Sequence, residues 1–331
     1  MHAAKPERLA VSTSGDALGG RWLARWAGAT LLACLVAGWG LAQEAGEAKE
    51  DKIPEPEELG GEDLVTSDGV QLKGTFFPGT EGKDTVPIIL LHSWKGDRSE
   101  YAGFAQALQR RGHAVLVPDL RGHGDSTQFL GGGIRELDSS KMGSRDFEAM
   151  VYKDMEKFKG ILVDRNDAGE LNLSKLCIVG AEMGASVALY YAQYDWMLNR
   201  YEPASKKKRP SEDVKAVVLI SPEWSFKGLP MASGIKHAAV QRLVSMLIIV
   251  GKADSKAMAD ARRLHKMIER YRPEPPPEER AALKNLFLIA PDTKLQGTKM
   301  LNVRGLDLER VVGTFINLRL ANKDYAWRKR K

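Results

Sequence analysis

The stretch LCIVGAEMGASVALYYA, Leu176 to Ala192, decides how the rest of the chain is read. Leu176 to Val179 is an unbroken apolar run, as expected of a strand buried on both faces. Gly180, Ala181, Glu182, Met183 and Gly184 follow, and then Ala, Val, Leu and Tyr recur at helical spacing. A strand, a sharp turn and a helix are therefore predicted. Gly180 and Gly184 let strand and helix close around a strained central residue. That central residue is Glu182.

Working outward, Val86 to Leu91 is another continuous apolar run and empties into His92-Ser93-Trp94-Lys95-Gly96. A helix is predicted from Tyr101 to Arg111, stopped by Gly112, and a strand from Ala114 to Pro118. Strand, helix and strand in this span make one βαβ unit. Upstream, Leu64 to Phe77 predicts two short strands around Ser67-Asp68-Gly69, a hairpin pattern. The loop Asp119 to Ser126 opens a glycine-rich region to Met142 with no predicted shape, followed by a helix from Phe147 to Leu162. Strands at Val214 to Ile220, Met246 to Val250 and Leu286 to Ala290 alternate with helices at Lys256 to Arg270 and Leu306 to Leu320. This alternation is the pattern of an α/β domain with helices on both faces of a parallel sheet.

The first 42 residues stand apart. Arg21 and Arg25 precede an apolar stretch from Trp26 to Ala42 that closes on Gly40-Leu41-Ala42, the pattern of a signal peptide with a long leader. A retained membrane anchor is the alternative, because the stretch is not much shorter than a spanning helix. A lipobox reading at Leu31-Leu32-Ala33-Cys34 is weaker, since the apolar run continues past Cys34. Without the leader only Cys177 remains, so no intramolecular disulfide forms. Residues 43–60, acidic and with two prolines, are expected to be a disordered tether. The formal net charge of +6 draws partly on Lys5, Arg8, Arg21 and Arg25 in the leader, and the remainder is no argument for nucleic acid. Lys206, Lys207, Lys208 and Arg209, and the basic C-terminal tail 323–331, read as solvated segments. Contact with an anionic lipid or polysaccharide surface is the sharper alternative. No heptads, nucleotide fingerprint or zinc-ligand spacing occur.

With these elements in order, residues 61–322 resemble the α/β-hydrolase family, closest in flavour to the serine-aminopeptidase-like and dienelactone-hydrolase-like esterases. Four motifs carry the resemblance: LLHSWKG from Leu90 to Gly96, DLRGHGDS from Asp119 to Ser126, GAEMG at the turn, and VGKAD from Val250 to Asp254. The fold it implies is a mostly parallel eight-stranded sheet with helices on both faces and no large lid domain. Its chemistry uses an attacking hydroxyl, an imidazole that takes the proton and a carboxylate that fixes the imidazole. The resemblance places these roles at Glu182, Gln296 and Asp254, and the oxyanion-hole donors at Ser93 and Met183. Gln296 has no titration near neutral pH and cannot act as a general base. The expectation is a degenerate triad, an Asp254–Gln296–Glu182 hydrogen-bonded chain whose Glu182 carboxylate plugs the former oxyanion hole.

His92, His113, His123, His237 and His265 all fall outside the expected base loop and read as structural histidines. Asp119, His123 and Asp125 crowd one loop, but the resemblance accounts for them without a metal, and no cofactor is expected. The function expected is that of an exported protein, periplasmic or extracellular, that has lost serine hydrolase activity and binds a small-molecule or envelope ligand or serves a structural part. Two alternatives remain: an active ester or amide hydrolase on non-standard residues, and an envelope-attached interaction protein. The oligomeric state is left open.

Overall fold

A computed structural model describes residues 53–133, 135–201 and 211–331, without the side chains of 199–201. The leader, the first part of the tether and the Lys206 to Arg209 run lie outside the described residues. Strands β1 (Glu57–Leu59), β2 (Lys73–Phe77), β3 (Pro87–Leu91), β4 (Ala114–Asp119), β5 (Leu176–Ala181), β6 (Val214–Ile220), β7 (Ser245–Ile249) and β8 (Leu286–Ile289) form one eight-stranded sheet. Their spatial order is β1-β2-β4-β3-β5-β6-β7-β8. β1 pairs β2 and β2 pairs β4 in antiparallel fashion, and the other pairings are parallel. Every residue of β3, β4, β5 and β7 is buried, which is why their sequences run apolar without alternation.

Two helical layers cover the sheet. Helix α1 (Ala102–Gln109) and helix α5 (Leu308–Ile316) pack on one face, where Ile88, Leu90, Phe104, Leu108, Val312 and Phe315 share a core. Helix α2 (Met155–Asp167), α3 (Met183–Tyr201) and α4 (Ser255–Glu269) pack on the other, around Ile89, Leu91, Phe158, Leu189 and Leu264. Helix α2 is prolonged at its N-terminal end by Ser144–Ala149 and a π-helical turn, Met150–Asp154. The chain leaves β3 for β4 on one side and returns to β5 on the other. The carboxyl ends of β3 and β5 therefore flank the topological switch point, where a crevice forms in open α/β sheets.

The turn between β5 and α3 is as tight as its glycines imply. A Cβ on Gly180 would lie 2.1 Å from the Gly184 carbonyl oxygen, and one on Gly184 would lie 2.2 Å from that of Leu91. Both positions are closed to any larger residue, and the second brings α3 directly onto the end of β3.

Three expectations change. The tether ends early, because Glu57–Leu59 pairs with Gly74, Thr75 and Phe76 as the edge strand. Arg165 pairs with Glu57 there, and the Thr75 hydroxyl donates to Glu58 at 2.8 Å. The Ser67–Gly69 turn does join a short antiparallel bridge, Val65 to Gln71. However, Val70–Gln71 continues into a three-stranded sheet with Gln128–Phe129 and Arg135–Glu136, which gives the glycine-rich region its shape. The tail is only partly solvated: Tyr325, Trp327 and Arg330 are half-buried, while Asp324, Ala326, Arg328, Lys329 and Lys331 are exposed. Asn172 donates to the Tyr325 carbonyl at 2.8 Å, Ser174 to that of Ala326 at 3.1 Å and Asn166 to that of Arg328 at 2.9 Å. These bonds use the tail's own backbone carbonyls, so its basic composition gives no sign of them.

Candidate functional site

Glu182 sits in left-handed backbone, with φ at 51°, between β5 and α3. Its N–H donates to the Ile220 carbonyl at 2.9 Å, and its own carbonyl accepts from Ala185 at 3.1 Å as the helix starts. The same device recurs one strand over. Ser221, at the end of β6, has φ at 49° and donates its N–H to Ile249 at 2.7 Å. Such backbone costs about 1–3 kcal/mol per residue and persists only where the surroundings over-determine it. Close packing at the carboxyl edge of the sheet does so here.

The expected hydrogen-bonded chain from Asp254 through Gln296 to Glu182 does not form. Asp254 caps α4, its Oδ1 accepting from the Ala257 N–H at 2.9 Å. Gln296 clasps the backbone of Gly251: Nε2 donates to the Gly251 carbonyl at 3.0 Å while Oε1 accepts from the Gly251 N–H at 3.2 Å. Oε1 also accepts from the Ser221 hydroxyl at 2.6 Å, and that hydroxyl accepts from the Gly297 N–H at 2.8 Å. A primary amide presents a donor and an acceptor side by side, so it can answer the N–H and the C=O of one residue, which an imidazole cannot. Gln296 is thus a structural clasp between two loops. The Glu182 carboxylate lies against Gly297, where an added Cβ would come within 2.6 Å of Oε1.

The oxyanion edge is also altered. The Ser93 N–H donates to Glu100 Oε2 at 3.0 Å and the Ser93 hydroxyl to Oε1 at 2.7 Å. Glu100, not Glu182, therefore occupies the donor expected at Ser93. Met183 opens α3, where an amide has no acceptor within the helix. Glu100 had a weak signal in the sequence: Asp97-x-x-Glu100 has the spacing of a helix start, and Asp97 does cap, accepting from the Ser99 N–H at 2.8 Å. Ser221 and Glu223 had none.

Residues 86–246 match the family model described as the alpha/beta hydrolase fold. The chain has the fold of the α/β-hydrolase superfamily. An esterase of Pyrococcus furiosus aligns with 80% of this chain and 91% of its own, at 19% identity and a TM-score of 0.52. An esterase of Rhizomucor miehei aligns with 82% of this chain and 86% of its own, at 14% identity and a TM-score of 0.52. At such identities the likeness concerns the fold. Over 66 residues the chain is 41% identical to uncharacterized proteins from two strains of Mycobacterium tuberculosis, a stretch of 19% of this chain and 24% of theirs. The chain thus spans about a quarter of the length of these relatives.

Within this α/β-hydrolase fold the DLRGHGDS loop is a brace. Asp119 accepts from the Arg98 N–H at 2.7 Å and the Asp125 N–H at 2.9 Å, and Arg121 is held by Asp154 at 2.6 Å and Asp68 at 2.7 Å. His92 donates from Nδ1 to the Ser93 carbonyl at 2.7 Å, so its Nε2, 3.1 Å from the Leu120 N–H, is an acceptor. That is the neutral tautomer, in keeping with the lowering of its pKa by burial. Burial and the neighbouring His92 bring His123 down to about 4, and its Nδ1 is spent on the Arg121 carbonyl at 2.9 Å.

The surroundings of Glu182 are acidic. Burial raises the pKa of Glu182, the like charges of Glu223 and Glu100 raise it further, and Lys299 opposes them. Burial also raises Glu223, with Lys256 lowering it and Asp260 raising it. This constellation joins carboxylates without an imidazole or an activated hydroxyl. Its electrostatics favour a cation over an anion.

Proposed function

We propose that this α/β-hydrolase-fold chain works as a binding protein without serine-hydrolase chemistry, and that it is exported behind its Arg-flanked leader. The observation that carries this reading is the employment of Gln296. Its amide oxygen accepts from Gly251 and Ser221 and its NH2 donates to Gly251, so the loop that would supply a base supplies a clasp instead. Burial and the like charges of Glu223 and Glu100 raise the pKa of Glu182 at the nucleophile position, against Lys299, and among the described residues no imidazole stands by to activate it.

The test is hydrolysis of activated short-chain esters by the full chain. We expect background rates, unchanged in Glu182→Ala. Saturable turnover that disappears in Glu182→Ala overturns this reading and makes the protein a hydrolase on non-standard residues. For export, protein from the native host should begin near Gln43; a soluble cytosolic chain starting at Met1 overturns that part.

A further inference from the structure

Trp94 follows Ser93 and anchors an aromatic corner. Its ring meets Phe226 edge-on at 6.1 Å between centroids, and Phe226 meets Phe147 edge-on at 5.1 Å. Phe226 belongs to a short hairpin in which Ser225–Phe226 pairs with Leu229–Pro230. Lys227 and Gly228 form its tip, with φ at 34° and 94°, so both central residues are left-handed, as type I′ hairpin turns require.

The tip places Lys227 on the aromatic corner. Its ammonium lies 3.5 Å from the Trp94 ring centroid and 5.5 Å from that of Phe147. Among the described residues Lys227 makes no ion pair, and its residue is exposed. A non-glycine residue is thus held in strained backbone with its cation on two rings that come from different elements. Lys95 also lies over Trp94, at 4.8 Å, but as its sequence neighbour it travels with the ring and bridges to nothing else. The Trp94 indole N–H is buried and has no hydrogen-bond partner. The ring is therefore held by its faces and not by its polar edge.

Aromatic corners of this kind recognise ammonium groups through the negative face of the ring. From this arrangement we propose that the Trp94–Phe147–Phe226 corner is a binding seat for an alkylammonium group, occupied in the free protein by Lys227 of the hairpin tip, which the ligand must displace. Glu100, tied to Ser93 next to Trp94 in the chain, adds a negative charge that draws a cation towards the corner. The inference goes beyond the reading of an inactive elbow and does not need it, because a titration reads binding without turnover.

The experiment is calorimetric titration of the full chain with choline and with 3,3-dimethylbutan-1-ol, its neutral analogue of similar shape, at constant ionic strength. Lys227→Ala should bind choline roughly 3- to 30-fold more tightly than the wild type. Lys227→Arg, which keeps a cation on the ring, should stay at the wild-type level, and the neutral alcohol should gain nothing from either change. Adding Trp94→Leu to Lys227→Ala should abolish the gain. If that double variant does not fold, choline should still quench tryptophan fluorescence in Lys227→Ala where the alcohol does not. Equal choline affinity in Lys227→Ala and Lys227→Arg overturns the proposal, as does an equal gain for the neutral alcohol.

Discussion

The two ends of β5 and β6 handle charge in opposite ways. At their amino ends, Lys159 lies between Asp195 and Asp213, and Arg330 reaches Asp213 from the C-terminal segment at 2.6 Å. Asp195 also accepts from the N–H groups of Asp213 at 2.7 Å and Val214 at 2.9 Å. Burial works against the Lys159 charge, yet the two carboxylates push it up to about 12. Two cations face two anions there; Lys159, Asp195 and Asp213 are buried, and the Arg330 side chain is 7% exposed. At the carboxyl ends, Glu182 and Glu223 are half-buried beside other acids, and both are pushed up. Burial raises Asp213 at the closed end too, but Lys159 and Arg330 oppose that rise, so charge there is compensated. At the open end it is left in tension, the state in which a ligand of opposite charge gains most from entering.

The comparison breaks if the closed end proves dispensable. Asp195→Ala removes the acceptor of two backbone amides and half the compensation of Lys159, and should cost about 3–5 kcal/mol in denaturant titration. A loss below about 1 kcal/mol would place the network with surface ion pairs. Arg330→Ala leaves Asp213 to Lys159 alone and should cost less, about 2 kcal/mol, by the same measurement. It also tests whether the C-terminal segment is an integral strap, since Trp327 and Arg330 both anchor it.

The smallest expected effect is at the open end. Glu182→Gln should change stability at neutral pH by no more than about 0.5 kcal/mol. Its sign sharpens the contrast. A carboxyl raised in the folded state binds more protons there than in the unfolded chain. Its presence therefore lowers stability as pH rises from its ordinary value of 4.5 through the raised one. Glu182→Gln should gain relative to the wild type at neutral pH, and the gain should fade below pH 4.5. A loss that grows with pH would mean that the ionised carboxylate is paired in solution, and that the two ends are alike after all.

Much of the architecture was legible from patterns that act locally. Continuous apolar runs mark strands buried on both faces whatever lies beside them, and β3, β5, β6 and β7 begin and end within a residue or two of the runs that predict them. Gly180 and Gly184 likewise report a close approach, because nothing larger fits. The edge strand at Glu57–Leu59 was missed because its acidic, proline-flanked composition argues for a tether, and only pairing with β2 overrides that preference.

What a polar side chain does was decided by tertiary structure. The sequence by itself determined that Glu182 stands at a strained turn and that Gln296 cannot move a proton, since backbone sterics and amide chemistry belong to the residue. It did not determine their partners. Gln296 could have reached Asp254 or Glu182, but it meets Gly251 and Ser221, 45 and 75 residues away along the chain. Glu100 takes the Ser93 amide, and Arg330 closes a buried network instead of trailing in water. Apolar burial follows from composition and period, whereas a hydrogen bond needs two groups within about 3 Å at a workable angle. Only the folding of distant loops onto one sheet edge sets that meeting.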